Sequence, residues 1–368
     1  MKLYASRENL LHGVNIVQRA VATKNPLPIL SGMLITAEDN TLKFTATDLE
    51  MGIECTVPVT VVEQGSVVVS ARYFSEVVRR LPDIRIELEV NPNNHSTNIR
   101  YGQSEISIHG MSPEDFPILP QLDREKSVTI NGSLFRNMIK QVAFAASSDN
   151  SRPIFTGVLL EINGEQLKLV ATDTHRLAFR SGKIASSQNL DNLSVIIPGK
   201  TISEISKITG EDSQVQLTFT ENQVLFEIDN ICLISRLING QFPNYNQVVP
   251  QGYKSRIRVK SKDFLESMER ASLMTKEGSS VVKISIEELS MNITSNSPDI
   301  GRIYEQVQIY LEGEETSISF NSRYLLDVLK VADDEEVYLE LTDSLSPGIV
   351  KPVGNENYLY LILPIRTL

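Results

Sequence analysis

Apolar positions along this chain follow two periods in turn. Leu10, Leu11, Val14, Val17 and Val21 recur at the spacing of an amphipathic helix, as do Leu134, Phe135, Met138, Val142 and Ala145, and then Phe264, Leu265, Met268 and Ala271. Second helices are predicted over Arg72–Leu81, Thr201–Ile208 and Ser322–Val331. Between them lie short β-branched or alternating segments: Gly65–Ser70, Ile86–Val90, Gln214–Phe219, Val224–Ile228 and Val337–Leu341. The pattern reads as an α+β chain in which two helices accompany many antiparallel strands, three times over.

The threefold character is also written in the residues. Leu42-Lys43-Phe44-Thr45-Ala46-Thr47-Asp48 returns as Leu167-Lys168-Leu169-Val170-Ala171-Thr172-Asp173, 125 positions later. Pro28-Ile29-Leu30-Ser31-Gly32 returns at the same offset as Pro153-Ile154-Phe155-Thr156-Gly157, and Asp115-Phe116-Pro117 returns as Gln241-Phe242-Pro243. A fainter third copy runs through Leu289–Thr294, and Arg323-Tyr324-Leu325 echoes Arg72-Tyr73-Phe74. A period this long is domain-sized, whereas solenoids repeat every 20 to 50 residues. The joins at 119–126 and 249–252 are short, polar and proline-bearing, as linkers are.

Charge changes the picture more than composition does. The chain carries −11 overall, which taken alone argues against a nucleic-acid partner. Yet each of the six helical segments is positive by one or two charges. Together they hold +9 against −11 for the whole, so the remainder holds −20. The segment 131–147 contains Arg136 and Lys140 and no acid. One basic helix is an ordinary solvated face; six of one sign suggest a surface that meets a phosphate backbone on one side only. No segment reaches membrane-spanning length, and the N-terminus lacks a secretory pattern. The two cysteines, Cys55 and Cys232, are expected to be buried thiols, and the protein is read as cytoplasmic.

Catalytic constellations fail on inspection. Thr172, Asp173 and His175 could suggest a triad, but in an extended Ala171–Leu177 the threonine would face away from the other two. Asp333-Asp334-Glu335-Glu336 lacks a second spaced cluster of ligands, so no metal is expected. Neither a phosphate-binding Gly-Lys-Ser/Thr loop nor a dinucleotide glycine motif is present, and no cofactor is implied.

The segments Pro26-Leu27-Pro28-Ile29-Leu30, Thr47-Asp48-Leu49-Glu50, Asp115-Phe116-Pro117, Ala171-Thr172-Asp173-Thr174-His175-Arg176-Leu177, Gly240–Tyr245 and Leu363–Leu368 closely resemble the bacterial DNA polymerase III β subunit family, the replicative sliding clamps. The resemblance covers the whole chain. It implies three tandem clamp domains over 1–122, 123–252 and 253–368, each with two helices on antiparallel sheets, forming half of a six-domain ring. It further implies a head-to-tail homodimer that encircles duplex DNA without reading sequence and has no catalytic centre of its own. Polymerase, clamp loader and repair proteins would be held through short peptide motifs, conferring processivity.

Carried over from the family, the DNA-facing positions are Lys24, Arg72, Arg79, Arg80, Arg136, Lys140, Arg152 and Lys200. The partner-peptide pocket would be walled by Phe155, Thr172, Thr174, His175, Arg176, Leu177, Pro243, Val248, Pro347, Leu361, Ile362, Leu363, Pro364, Ile365 and Arg366. The dimer contact would set Ile106 and Ile108 against Leu273 and Met274. The chain departs from the family pattern at Thr174, where glycine is common, at Gln247, where arginine is frequent, and at Thr367 before the last leucine. Two other readings compete: a repeated-domain peptide scaffold that never touches DNA, and an enzyme using Asp173 and His175.

Overall fold

The computed structural model describes residues 1–22, 27–120, 126–184, 192–275, 280–298 and 300–366. Among the described residues six α-helices form where the apolar stripes lie: α1 (Arg7–Val17), α2 (Ala71–Arg80), α3 (Gly132–Val142), α4 (Gly199–Ile208), α5 (Ser261–Ser272) and α6 (Ser322–Leu329). Their ends have local causes. Ser6 caps α1 by accepting from the Asn9 N–H at 3.2 Å, and Asn321 caps α6 by accepting from the Arg323 N–H at 3.0 Å. The first stripe reaches Val21, but α1 stops at Val17, tightens into a 3-10 turn over Gln18–Ala20, and leaves it with Val21 extended.

The chain forms two compact units. The first holds Met1–Ser133 and Glu204–Leu237; the second holds the rest of the described residues. In the first unit a nine-stranded antiparallel sheet runs Gly110–Met111, Gly65–Ser70, Gly32–Glu38, Thr41–Thr47, Met51–Pro58, Ile231–Arg236, Gln223–Ile228, Gln214–Phe219 and Ser127–Asn131. A five-stranded sheet accompanies it, with Thr60–Glu63 and Ser104–Ile108 at its edges. The second unit has a nine-stranded sheet in the order Leu193–Pro198, Gly157–Asn163, Gln166–Thr172, Arg176–Lys183, Tyr358–Ile362, Gly348–Pro352, Glu336–Leu341, Ser255–Lys260 and Tyr310–Gly313. Its four-stranded sheet is edged by Gly301–Gln308 and Thr316–Asn321.

Both large sheets run across a join between sequence repeats. At the first join Gly52 pairs with Ile234, and at the second Leu177 pairs with Leu361. Backbone ladders therefore do the joining, so each join is as rigid as a strand pair rather than a tethered linker. The first core gathers Leu10, Val14, Phe44 and Phe74, all with essentially no exposure, under α1 and α2. Gly13 is what lets α1 lie directly on the sheet, since a Cβ there would fall 2.3 Å from Cδ2 of Phe44. Of the two cysteines, Cys55 is buried as expected, whereas Cys232 is only half-buried. Strand alternation explains the difference: Cys232 pairs with Glu54 and Cys55 with Ile231, so the two thiols belong to opposite faces of one sheet.

Candidate functional site: a groove at the second join and the basic helices

A groove opens beside the turn that links the strands Gln166–Thr172 and Arg176–Lys183. Asp173 and Thr172 build that turn. Oδ1 of Asp173 accepts from the N–H groups of His175 (2.9 Å) and Arg176 (3.0 Å), while Oγ1 of Thr172 accepts from the Thr174 N–H and donates to the Arg176 carbonyl at 2.6 Å. The extended course expected for Ala171–Leu177 is thus corrected to a tight hairpin. A triad is excluded for a different reason from alternation: the Asp173 carboxylate is committed to backbone N–H groups and to Nε of Arg176 at 2.9 Å.

Thr174 sits at φ +79°, a left-handed conformation that is uncommon for a β-branched residue. Glycine would hold it without steric cost. Replacing Thr174 with glycine should raise the unfolding free energy by about 1 kcal/mol, strain relief outweighing the added chain entropy, and urea titration measures this. A decrease of similar size would mean that the threonine side chain supports the turn.

Arg176 is the electrostatic centre. Its side chain is 10% exposed and binds Asp173, Oδ2 of Asp327 on α6, and the Phe144 carbonyl at 2.8 Å, with the guanidinium 4.4 Å from the Tyr324 ring. Burial works against its charge. Tyr360, Asp327 and Asp173 outweigh that cost and hold its pKa above the usual arginine range.

The groove itself is a cavity of ≈ 250 Å³ lined by Phe155, Thr172, Thr174, Arg176, Leu177, Phe242, Pro243, Asn244, Tyr245, Val248, Leu361 and Leu363. Nine residues of the expected wall are therefore together: Phe155, Thr172, Thr174, Arg176, Leu177, Pro243, Val248, Leu361 and Leu363. The others lie outside the lining. The His175 side chain is exposed, and its carbonyl accepts from the Leu363 N–H at 2.9 Å. Ile362 is fully buried, because the residue after Leu361 in a strand must face the opposite side. Pro347, Pro364 and Ile365 are half-buried, Arg366 is exposed, and Thr367 lies outside the described residues.

Phe242, Asn244 and Tyr245 are lining residues that sequence reasoning missed. Tyr245 packs with Leu159, Val170, Leu177, Ile196 and Leu361, and its hydroxyl donates to Oε2 of Glu161 at 2.8 Å. Burial and that carboxylate push its pKa up. The Phe-Pro shared by residues 116–117 and 242–243 is the sequence signal that marks their position.

Of the basic positions, Arg72, Arg79 and Arg80 are exposed on one stripe of α2, at helical spacing with Glu76. Glu76 ion-pairs with both Arg79 and Arg80, which holds its carboxyl below the usual range. Arg79 also donates to Gln18 Oε1 at 3.0 Å. On α3, Arg136 is half-buried and Lys140 exposed one turn later. Arg152 is exposed, 3.6 Å from Asp149, and Lys200 is exposed near the start of α4. Lys24 lies outside the described residues.

The expected contact residues Ile106 and Ile108 lie half-buried on an open edge strand. With Tyr73 and Val77 of α2 and Leu81 just past it, they line a cavity of ≈ 630 Å³. Leu273, just past α5, is 69% exposed, and Met274 is half-buried.

An apolar groove with a few fixed polar groups has the chemistry to seat a short apolar segment or a ligand of similar character. The chain belongs to the DNA polymerase III beta subunit family: residues 1–120 match its N-terminal domain, 129–244 its central domain and 246–366 its C-terminal domain. Over the full length of both chains it is 38% identical to the beta sliding clamp of Bacillus subtilis. The crystal structure of the DNA polymerase sliding clamp from Bacillus subtilis superposes with a TM-score of 0.95 at 38% identity, covering both chains completely. A Pseudomonas aeruginosa sliding clamp bound to griselimycin superposes at 0.94 with 29% identity, again covering both chains. Among the described residues, no helix is long and apolar enough to cross a membrane.

Proposed function

We propose that this protein is a replicative sliding clamp: two chains close head to tail into a ring around duplex DNA and tether the polymerase and its accessory proteins to it. The full-length match to the Bacillus subtilis clamp in sequence and structure carries this reading. Three features of the chain support it. Within their observed bounds α2, α3 and α4 carry +2, +2 and +1, whereas α1 and α6 are neutral and α5 is net negative. The basic character expected of all six helices is thus confined to three, the others owing it to flanking residues such as Arg19, Lys260 and Lys330. The three basic helices of an acidic chain suit sequence-independent attraction to phosphates. The edge strands Ser104–Ile108 and Gly301–Gln308 are open, and apolar groups beside an unpaired edge are a liability unless a second copy covers them. A heterologous contact of that kind closes into a ring when the rotation per chain is right. The groove at the second join supplies an apolar seat for short partner peptides. On this reading the chain lends processivity and does no chemistry itself.

Sedimentation equilibrium should return a mass twice the 41.1 kDa of one chain, and Ile106→Asp with Leu273→Asp should return a single chain. A wild-type monomer at micromolar concentration would overturn the ring. Reversing Arg136 and Lys140 to glutamate should weaken DNA association and lower its salt dependence by about two phosphate contacts, leaving peptide affinity unchanged. Unaltered DNA association across a salt titration would remove α3 from the DNA face.

A further inference from the structure

The first repeat builds the same hairpin as the second. Thr47 Oγ1 donates to the Met51 carbonyl at 2.9 Å and accepts from the Leu49 N–H, while Asp48 Oδ1 accepts from the N–H groups of Glu50 and Met51. Leu49 has φ +76°, as Thr174 has +79°. Gly52 holds the place of Leu177: each pairs with the threonine of its turn, and each faces the closing strand, at Ile234 and Leu361 respectively. The strap Phe116-Pro117-Ile118-Leu119 stands where Phe242-Pro243-Asn244-Tyr245 stands in the second repeat.

What fills the two places differs. Tyr245 lies over the sheet with its hydroxyl on Glu161, and Leu177 beside it floors an open groove. Position 52 has no side chain, and Leu119 occupies the space: its Cδ2 is 2.4 Å from where a Cβ would stand. The strap is otherwise lightly held. Phe116 is buried, Ile118 is 95% exposed, and beneath them lies a cavity of ≈ 420 Å³ lined by Thr36, Lys43, Thr45, Glu54 and Cys232 among others. The matching positions of the second repeat include Val170, Phe179 and Leu359, which pack with Tyr245. Leu34, Leu225 and Ile234 keep part of that lining apolar, but with Thr45, Glu54 and Cys232 in place of Val170, Phe179 and Leu359 the strap forgoes some of the apolar burial that fastens Tyr245.

We infer that the first join carries a second apolar-peptide groove, of the class proposed at Leu177, which the chain keeps closed with its own Leu119. This rests on the peptide-docking reading of the second join. The natural occupant is the strap itself; a leucine-bearing peptide of the same sequence is the ligand that would replace it in trans.

Cys232 supplies the reporter, because it lines the cavity under the strap, whereas Cys55 is fully buried and its thiol is pushed up to about 12 by burial and by Cys232 nearby. In the full-length protein, Leu119→Ala should speed maleimide labelling of Cys232 about tenfold by raising the open population of the strap. Gly52→Ala, whose methyl must expel the flexible Leu119 side chain, should act in the same direction. A synthetic Asp-Phe-Pro-Ile-Leu-Pro peptide in excess should restore protection to the Leu119→Ala protein, and the same peptide with alanine for leucine should not. Labelling unchanged in both variants, or acceleration that the peptide cannot reverse, would overturn the inference. If the strap peptide protects Cys232 while partner peptides fail to bind at Leu177, the reading of the second join falls and the plug stands.

Discussion

Arg176→Ala is expected to destabilise the protein by about 3 kcal/mol, the low end for breaking a buried ion pair. The guanidinium satisfies two carboxylates and a carbonyl from a site that is 10% exposed, and alanine would leave the largely covered Asp173 carboxylate with its backbone N–H donors but without its cation. Asp327 is 39% exposed, so water screens its share of the loss. Arg176→Lys keeps the charge but not the planar fork that reaches Asp173, Asp327 and Phe144 together, and should recover less than half of the lost stability. Urea titration measures both. A loss below about 0.5 kcal/mol for the alanine variant would reduce this network to surface decoration.

The second large effect concerns binding. Val248 and Leu363 line the groove while 53% and 38% exposed, so they contribute little to the core and much to the apolar wall. Changing both to aspartate should weaken partner peptides about 100-fold, the loss expected of a desolvated anchor pocket, with thermal stability nearly unchanged. Isothermal titration with a partner peptide, beside a melting curve, separates the two quantities. Full affinity in a folded double variant would move the peptide site elsewhere.

Some of this could be read from residues in order, and some could not. The helices were legible because their apolar stripes are regular: Leu10, Val14 and Val17 all became core. The strands Gly65–Ser70, Ile86–Val90 and Gln214–Phe219 were legible because turn residues or polar neighbours bracket β-branched runs. The hairpin at Asp173 was not, since strand alternation breaks at a residue whose carboxylate binds backbone two and three positions ahead. The repeated Ala-Thr-Asp was itself the sign of that turn. Ile362 does not join Leu361 and Leu363 in the groove, because a strand sends alternate residues to opposite faces, which the tail motif as a block of letters does not show. The ladders that carry each large sheet across a join pair residues more than 170 positions apart, and one-dimensional patterning holds no such information. Leu119 over Gly52 escaped for a related reason: a missing side chain leaves no mark in hydrophobic periodicity, only in the space it vacates.

The central claim is that this protein holds DNA by enclosing it. The most direct test loads it onto nicked circular DNA, removes free protein by gel filtration, and then linearises half of the sample. Enclosure predicts that the protein stays with the circle through the column and leaves once the DNA has free ends. Equal retention on linear and circular DNA would contradict it.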